Sequence, residues 1–292
     1  PVGCSAAIAT QLLRRVADGG GWTRIVADVQ QILVEGRRAV GVRMADGTEI
    51  RAPRVISAAG VQSTIRRLLP PEVVEQDWAK SIDPLRPASA HVCLYIGFKG
   101  DIRKAGATPA NKWFYNTFDM SRDAWSVHPD QELGPAECLY TSFPSLKDPL
   151  HDPGPEERHT GEVVTFVPWD VFEGWDGTPW RKRGDDYVAF KERMQAVLLE
   201  QLLAHMPDLR PMVDYVELST PVSTQTFCRP VKGSIYGLEP TPERFGTDAL
   251  RPRSPIRGLS FAGSEVATVG VIGAMMGGVL GATAADPFRM IR

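Results

Sequence analysis

The chain has 292 residues, of which 43% are hydrophobic and 23% charged, and its formal net charge is −2. That length can bury a sizeable core in one large or two ordinary domains. The near-neutral balance, without any basic tract, argues against a nucleic-acid surface. The cysteines, Cys4, Cys93, Cys138 and Cys228, are far apart and form no CxxC pair. Neither a zinc site nor a redox dithiol is signalled, and lone thiols fit a reducing compartment.

The sequence opens on Pro1 rather than Met and shows no signal peptide, so a processed or excised chain is expected. Ile8, Leu12 and Val16 fall at i, i+4 and i+8. This predicts an amphipathic helix over Ser5–Asp18, with Ser5 as its cap. Short β-branched runs follow at Thr23–Ala27 and Val29–Val34, with a turn at Glu35-Gly36. Ala39–Met44 alternates, Asp46-Gly47 signals a hairpin, and Glu49–Ala52 returns. Val55-Ile56 then runs into Ser57-Ala58-Ala59-Gly60. A strand that ends in a small-residue turn is where α/β folds place phosphate or ribose.

The middle of the chain has a different texture. His91–Phe98 reads as a buried strand, and Lys112–Asp119 and Val163–Trp169 as aromatic strands. A helix is predicted from Tyr187 until Pro207 stops it. Trp113, Phe114, Tyr115, Phe166, Trp169, Phe172 and Trp175 either line an apolar pocket or fill an ordinary core. The five histidines show no metal spacing, and neither a GxSxG nucleophile elbow nor a P-loop is present. No catalytic residue and no metal ligand is therefore assigned.

Near the C-terminus a strand is predicted over Leu259–Ala262. The twenty residues from Val266 to Ala285 then carry no charge, and Gly273, Gly277 and Gly281 recur every fourth position. The length would span a bilayer. Only eight of those residues are large and apolar, however, and neither an aromatic belt nor a close Lys/Arg cluster flanks them. A buried helix with one glycine face is the better expectation, held against another backbone or a flat ligand.

The two ends together carry a resemblance. "VxxI…GxxxGVxxxDGxxxxAxxVIsaag" and "GLxFAGxxxxxxGVxGAxxxGxxAA" are similar to the cofactor domain of FAD-dependent oxidoreductases of the phytoene desaturase, carotenoid isomerase and amine oxidase superfamily. "SFPSLKDP", "TFVPWDVFEGWD" and "STPVSTQTFCRPVKGSIYGLEPTPERF" resemble the branch of carotenoid isomerases, retinol saturase and pyridine nucleotide-disulphide oxidoreductase domain-containing proteins. The resemblance implies an α/β (α+β) fold: the latter part of a Rossmann-like FAD-binding domain, residues 1–75 and 251–292, with an inserted mixed or antiparallel-sheet substrate domain, residues 76–250.

It further implies that Val29 meets the adenine, that Ala58, Ala59 and Gly60 line the ribose and pyrophosphate, and that Gly263 ends the last strand. Ser264 or Glu265 would bond the ribityl or phosphate region. Gly270, Val271 and Ile272 would open the final helix beneath the flavin, and Tyr236 and Gly237 would face flavin or substrate.

One departure is large. The family's opening βαβ unit carries GxGxxG, and here the nearest run, Gly19-Gly20-Gly21, has Arg24 at the third glycine position. The chain thus resembles only the latter part of a family protein. Weak or no FAD retention by the isolated polypeptide is expected.

The function expected is that of an FAD-dependent desaturase, saturase or isomerase acting on an apolar isoprenoid or polyene. The alternatives are an amine oxidase-like flavoenzyme, or a non-catalytic module needing a partner chain. Partners would be the apolar substrate and a separate chain supplying the N-terminal half. A cytoplasmic location with peripheral membrane contact is expected, and no nucleic acid.

Overall fold

A computed structural model describes residues 2–119 and 124–290. Its main elements, in order, are helix α1 (Cys4–Asp18), strands β1 (Val29–Glu35), β2 (Arg38–Met44), β3 (Glu49–Arg51) and β4 (Val55–Ser57), and helix α2 (Val61–Ser63), which continues as a π-helical turn over Thr64–Leu68. Strands β5 (Ala90–Phe98), β6 (Lys112–Tyr115), β7 (Cys138–Ser142) and β8 (His159–Val167) follow, then helix α3 (Asp185–His205) and strand β9 (Val213–Ser219). Helix α4 (Pro221–Cys228), strand β10 (Leu259–Phe261) and helix α5 (Gly270–Ala285) complete the set.

The chain divides into two compact units, Pro1–Thr23 with Ser89–Cys228, and Arg24–Ala88 with Arg229–Arg292. The first 23 residues thus group with the central segment rather than with the hairpins that follow them. The tie is local: Asp148 accepts from the Gly3 N–H at 3.1 Å and from the Cys4 thiol at 3.1 Å.

In the unit containing the central segment, five strands form a sheet in the order β6-β7-β8-β5-β9, and every pairing is antiparallel. One face is the core. Val92, Leu94 and Ile96 of β5 alternate onto it, and α3 supplies Phe190, Met194, Leu198 and Leu202 at helical spacing. Phe172 and Trp169 are buried in this core, whereas Trp113 stands 52% exposed on the opposite face. The register places Trp113, Tyr140, Val164, Cys93 and Ser219 in one row across that second face. Tyr95, Tyr115 and Tyr215 share the face by alternation, and each is about half exposed.

In the other unit, β1, β2 and β3 form an antiparallel meander. Asp46 accepts from the Thr48 N–H at 2.9 Å and holds the second turn. Strands β4 and β10 pair in parallel, with Val55 opposite Leu259 and Ser57 opposite Phe261. Ile32, Ile65, Leu238, Leu259 and Phe261 are among the residues of its core.

Two expectations need correction. Thr23–Ala27 is irregular rather than a strand: Ile25 and Val26 are 80% and 99% exposed, and Val26 has φ 52°. Without a partner strand, β-branching alone does not hold an extended conformation. The C-terminal helix opens at Gly270, as the resemblance implied, but it is not a buried helix: only its stripe of Gly273, Gly277 and Gly281 is buried, and among the described residues no helix is long and apolar enough to cross a membrane.

Candidate functional site

The parallel pair β4–β10 sets the site. In parallel α/β sheets, ligands bind beyond the carboxyl ends of the strands. Here those ends are the two small-residue turns, Ala58-Ala59-Gly60 after β4 and Ala262-Gly263 after β10. The Ala262 N–H donates to the Ser57 carbonyl at 2.8 Å, and a Cβ on Gly263 would sit 3.8 Å from the Ala58 carbonyl oxygen. Gly60 and Gly263 adopt φ 87° and 100°, a region that L side chains rarely enter. Both turns therefore present bare backbone, with Ala58 and Ala59 exposed.

A second chain segment closes on the same place. Glu265 is 6% exposed, and its carboxylate accepts three backbone N–H groups: Val61 at 2.5 Å, Gln62 at 3.1 Å and Leu238 at 3.2 Å. It thereby occupies the first turn of α2, where unpaired donors favour an anion. Burial raises its pKa above the usual carboxylate value, opposed by those N–H groups and by Arg244. Arg244, 2% exposed, donates to the carbonyls of Leu238 and Ser264, each at 2.5 Å. A Cβ on Gly237 would strike the Glu265 carboxylate, and the Ser264 hydroxyl donates to the Tyr236 carbonyl at 3.5 Å.

The structure thus brings Ala58, Gly60, Tyr236, Gly237, Gly263, Ser264 and Glu265 together. Tyr236 is 41% exposed. Val29 opens β1 opposite Met44 on the three-stranded sheet. Gly270, Val271 and Ile272 open α5, whose N-terminus has no side-chain cap, and Val271 and Ile272 are 61% and 73% exposed. Helix dipole and unpaired N–H groups favour negative charge at such an end.

The glycine face of α5 is not open to a ligand. A Cβ on Gly273 would run into the Thr268 carbonyl, one on Gly277 into Gly263, and one on Gly281 would lie 2.6 Å from the Phe261 carbonyl oxygen. The chain's own strand and loop backbone fills the space that a ring was expected to share. Sequence reasoning also missed Arg244. The signal for its helix was there in Thr241-Pro242-Glu243, where the Thr241 hydroxyl accepts from the Arg244 N–H at 3.3 Å. Nothing in the sequence marks the guanidinium as buried.

No protein-family model matches the chain. It is 28% identical over 291 residues to the all-trans-retinol 13,14-reductase of Danio rerio, a match covering 95% of this chain and 47% of that protein. It is 26% identical over 283 residues to the chloroplastic prolycopene isomerase of Arabidopsis thaliana, covering 94% and 44%. Among solved structures, a putrescine oxidase redesigned in its cofactor binding superposes with a TM-score of 0.58 at 15% identity, over 96% of this chain and 52% of that one. That last likeness is one of fold. The chain spans about half the length of the curated relatives it matches, and over nearly all of its own length it is similar to the phytoene desaturase and carotenoid isomerase superfamily, with an oxidoreductase fold.

Proposed function

We propose that the chain is part of an FAD-dependent oxidoreductase of the desaturase, saturase or isomerase type, acting on an apolar isoprenoid or polyene. The observation that carries this reading is the juxtaposition of two bare turns at the carboxyl ends of a parallel strand pair, Ala58-Ala59-Gly60 and Ala262-Gly263. Backbone without bulky side chains is what a dinucleotide pressed against a sheet requires. Ala58, Ala59, Gly60 and Gly263 would hold its ribose and pyrophosphate, and the uncapped start of α5 at Gly270 to Ile272 would face an electron-rich ring edge. The retinol reductase and prolycopene isomerase relatives support the polyene class.

Bound flavin would supply the hydride chemistry. The protein's part would be orientation. Both carboxylate oxygens of Glu265 are engaged by backbone N–H groups, so Glu265 would shape the cleft by fixing α2 and Gly237, and the Ser264 hydroxyl is the side chain better placed to reach a ligand. The aromatic second face of the five-stranded sheet, with Tyr95, Trp113, Tyr115 and Tyr215 exposed, offers apolar area for a polyene.

The test is reconstitution. Co-expression with a segment bearing a GxGxxG βαβ unit should yield a yellow complex, whose anaerobic spectrum should change with all-trans-retinol and not with putrescine. Bleaching by the amine alone would sink the polyene reading, and a complex that never takes up flavin would sink the cofactor.

A second reading, a module that needs a partner chain, is favoured by one observation. The outer face of α5 leaves Val271, Ile272, Met275, Met276 and Val279 between 46% and 73% exposed. That is a contiguous apolar stripe of the kind that marks an interaction surface.

A further inference from the structure

Strand β9 is the edge of the five-stranded sheet, and along it opens a cleft of about 1000 Å³ between the start of α3 and the end of α4. Its walls are aromatic. Trp180 and Phe227 meet edge to face at 5.4 Å, yet stay 47% and 66% exposed, and Tyr95 and Tyr215 extend the apolar surface onto the sheet. Aromatic area left this open on one wall of a concave surface is characteristic of a ligand site.

Arg183 lines the same cleft and is only 8% exposed. Its Nη2 donates to the Val222 carbonyl at 3.1 Å and to the Thr226 hydroxyl at 2.8 Å. Its Nε is buried without a hydrogen-bond partner, and it forms no ion pair with a carboxylate among the described residues. A guanidinium taken out of water with neither a counter-charge nor full hydrogen bonding is costly. One carbonyl, one hydroxyl and the Tyr187 ring, whose centroid is 5.3 Å from Cζ, offset part of that cost, and an anion would offset more.

We propose that this cleft binds an apolar carboxylate, its head on Arg183 and its chain or ring system laid over Trp180, Phe227 and Tyr215. A monoanion fits better than a phosphate dianion, because Asp185, Glu192 and Glu217 share the cleft. Of the other cations lining the cleft, Lys191 already pairs with Glu217 at 3.7 Å, Arg181 lies over the Trp180 ring at 4.3 Å, and Lys182 is exposed to solvent, unlike Arg183. The Nε–H of Arg183, without an acceptor of its own, can give a charge-assisted hydrogen bond to one carboxylate oxygen. The cleft shares Tyr95 and Tyr215 with the sheet face proposed above for a polyene, but anion recognition by Arg183 needs no flavin.

The test uses this chain and an anthroyloxy-labelled palmitate, below its micelle concentration, against the labelled alcohol. Saturable one-to-one binding is expected, with the acid at least about tenfold tighter than the alcohol, the scale of one charge-assisted hydrogen bond. Arg183→Gln should abolish that preference, Arg183→Lys should restore part of it, and Trp180→Ala should weaken acid and alcohol alike. Equal binding of acid and alcohol, an Arg183→Gln preference unchanged from wild type, or displacement of the label by farnesyl phosphate more readily than by palmitate would each overturn the assignment.

If Arg183→Gln fails to fold, the wild-type chain decides. Cys228 is exposed and lines the cleft. Palmitate should slow its reaction with a thiol reagent and the alcohol should not. Equal protection by the two, or none, counts against the proposal.

Discussion

Glu265 shows how one side chain can organise a site from within. Three backbone N–H groups and the neighbouring Arg244 converge on it, and all of them are buried or partly buried. Glu265→Ala would strand those donors, and about 3 kcal/mol of stability should be lost, read from the urea midpoint. The cost follows from unpaired buried groups rather than from a lost contact area. The pH dependence has a definite sign. Burial raises the folded-state pKa of Glu265 above its unfolded value, so the folded state binds the proton more tightly. The wild type should therefore lose stability relative to Glu265→Gln as pH rises from the unfolded carboxylate range through the raised value. Parallel curves for the two proteins over that range would show that the carboxylate carries no net burial penalty.

At the scale of elements, α5 explains why a glycine-rich run folds as a helix at all. Each glycine costs about 1 kcal/mol of helix propensity relative to alanine. On the buried stripe that cost is offset by close approach: the chain's own carbonyls at Phe261, Gly263 and Thr268 lie where side chains would be. Gly278, on the outer face, has nothing within 4 Å of the place where a methyl group would sit. Gly277→Ala should accordingly destabilise by about 2 kcal/mol or more, because backbone must move, while Gly278→Ala should stabilise by up to about 1 kcal/mol. Thermal or urea midpoints of the two variants check this, and equal shifts would refute the close-packing account.

The period of four made this helix legible in the sequence, as alternation did for β2, as the His91–Phe98 run did for the buried β5, and as the Asp46-Gly47 pair did for its hairpin. What fills the glycine face was not legible, since a period reports a bare stripe and not its occupant. Strand β9 went unnoticed because its Val213–Ser219 run mixes acidic and apolar residues, as an edge strand with one open face does. The buried Arg244 and Arg183 left no trace in the pattern either, because burial of a charge depends on tertiary partners.

For the whole molecule, the telling feature is apolar surface that its own residues leave uncovered. Helix α1 has no buried residue, and Leu12, Leu13 and Val16 are 54%, 48% and 44% exposed. The outer stripe of α5 is exposed to a similar degree. Surfaces of this kind bind hydrophobic dyes and drive association. Replacing Ile272 and Met276 together by Ser should lower dye fluorescence and self-association while moving the urea midpoint by no more than about 0.5 kcal/mol, the scale of surface substitutions.

A large loss of stability would mean that the stripe is packed within the chain rather than open to a partner. Flavin retention tests the same incompleteness from the ligand's side. The turns at 58–60 and 262–263 supply only backbone, and the sequence holds no GxGxxG turn to seat a pyrophosphate. Gel filtration of the isolated chain mixed with FAD should therefore leave the flavin absorbance in the small-molecule volume. Co-elution with the protein would show that these turns and the start of α5 suffice to hold the dinucleotide, and the partner-chain reading would lose its basis.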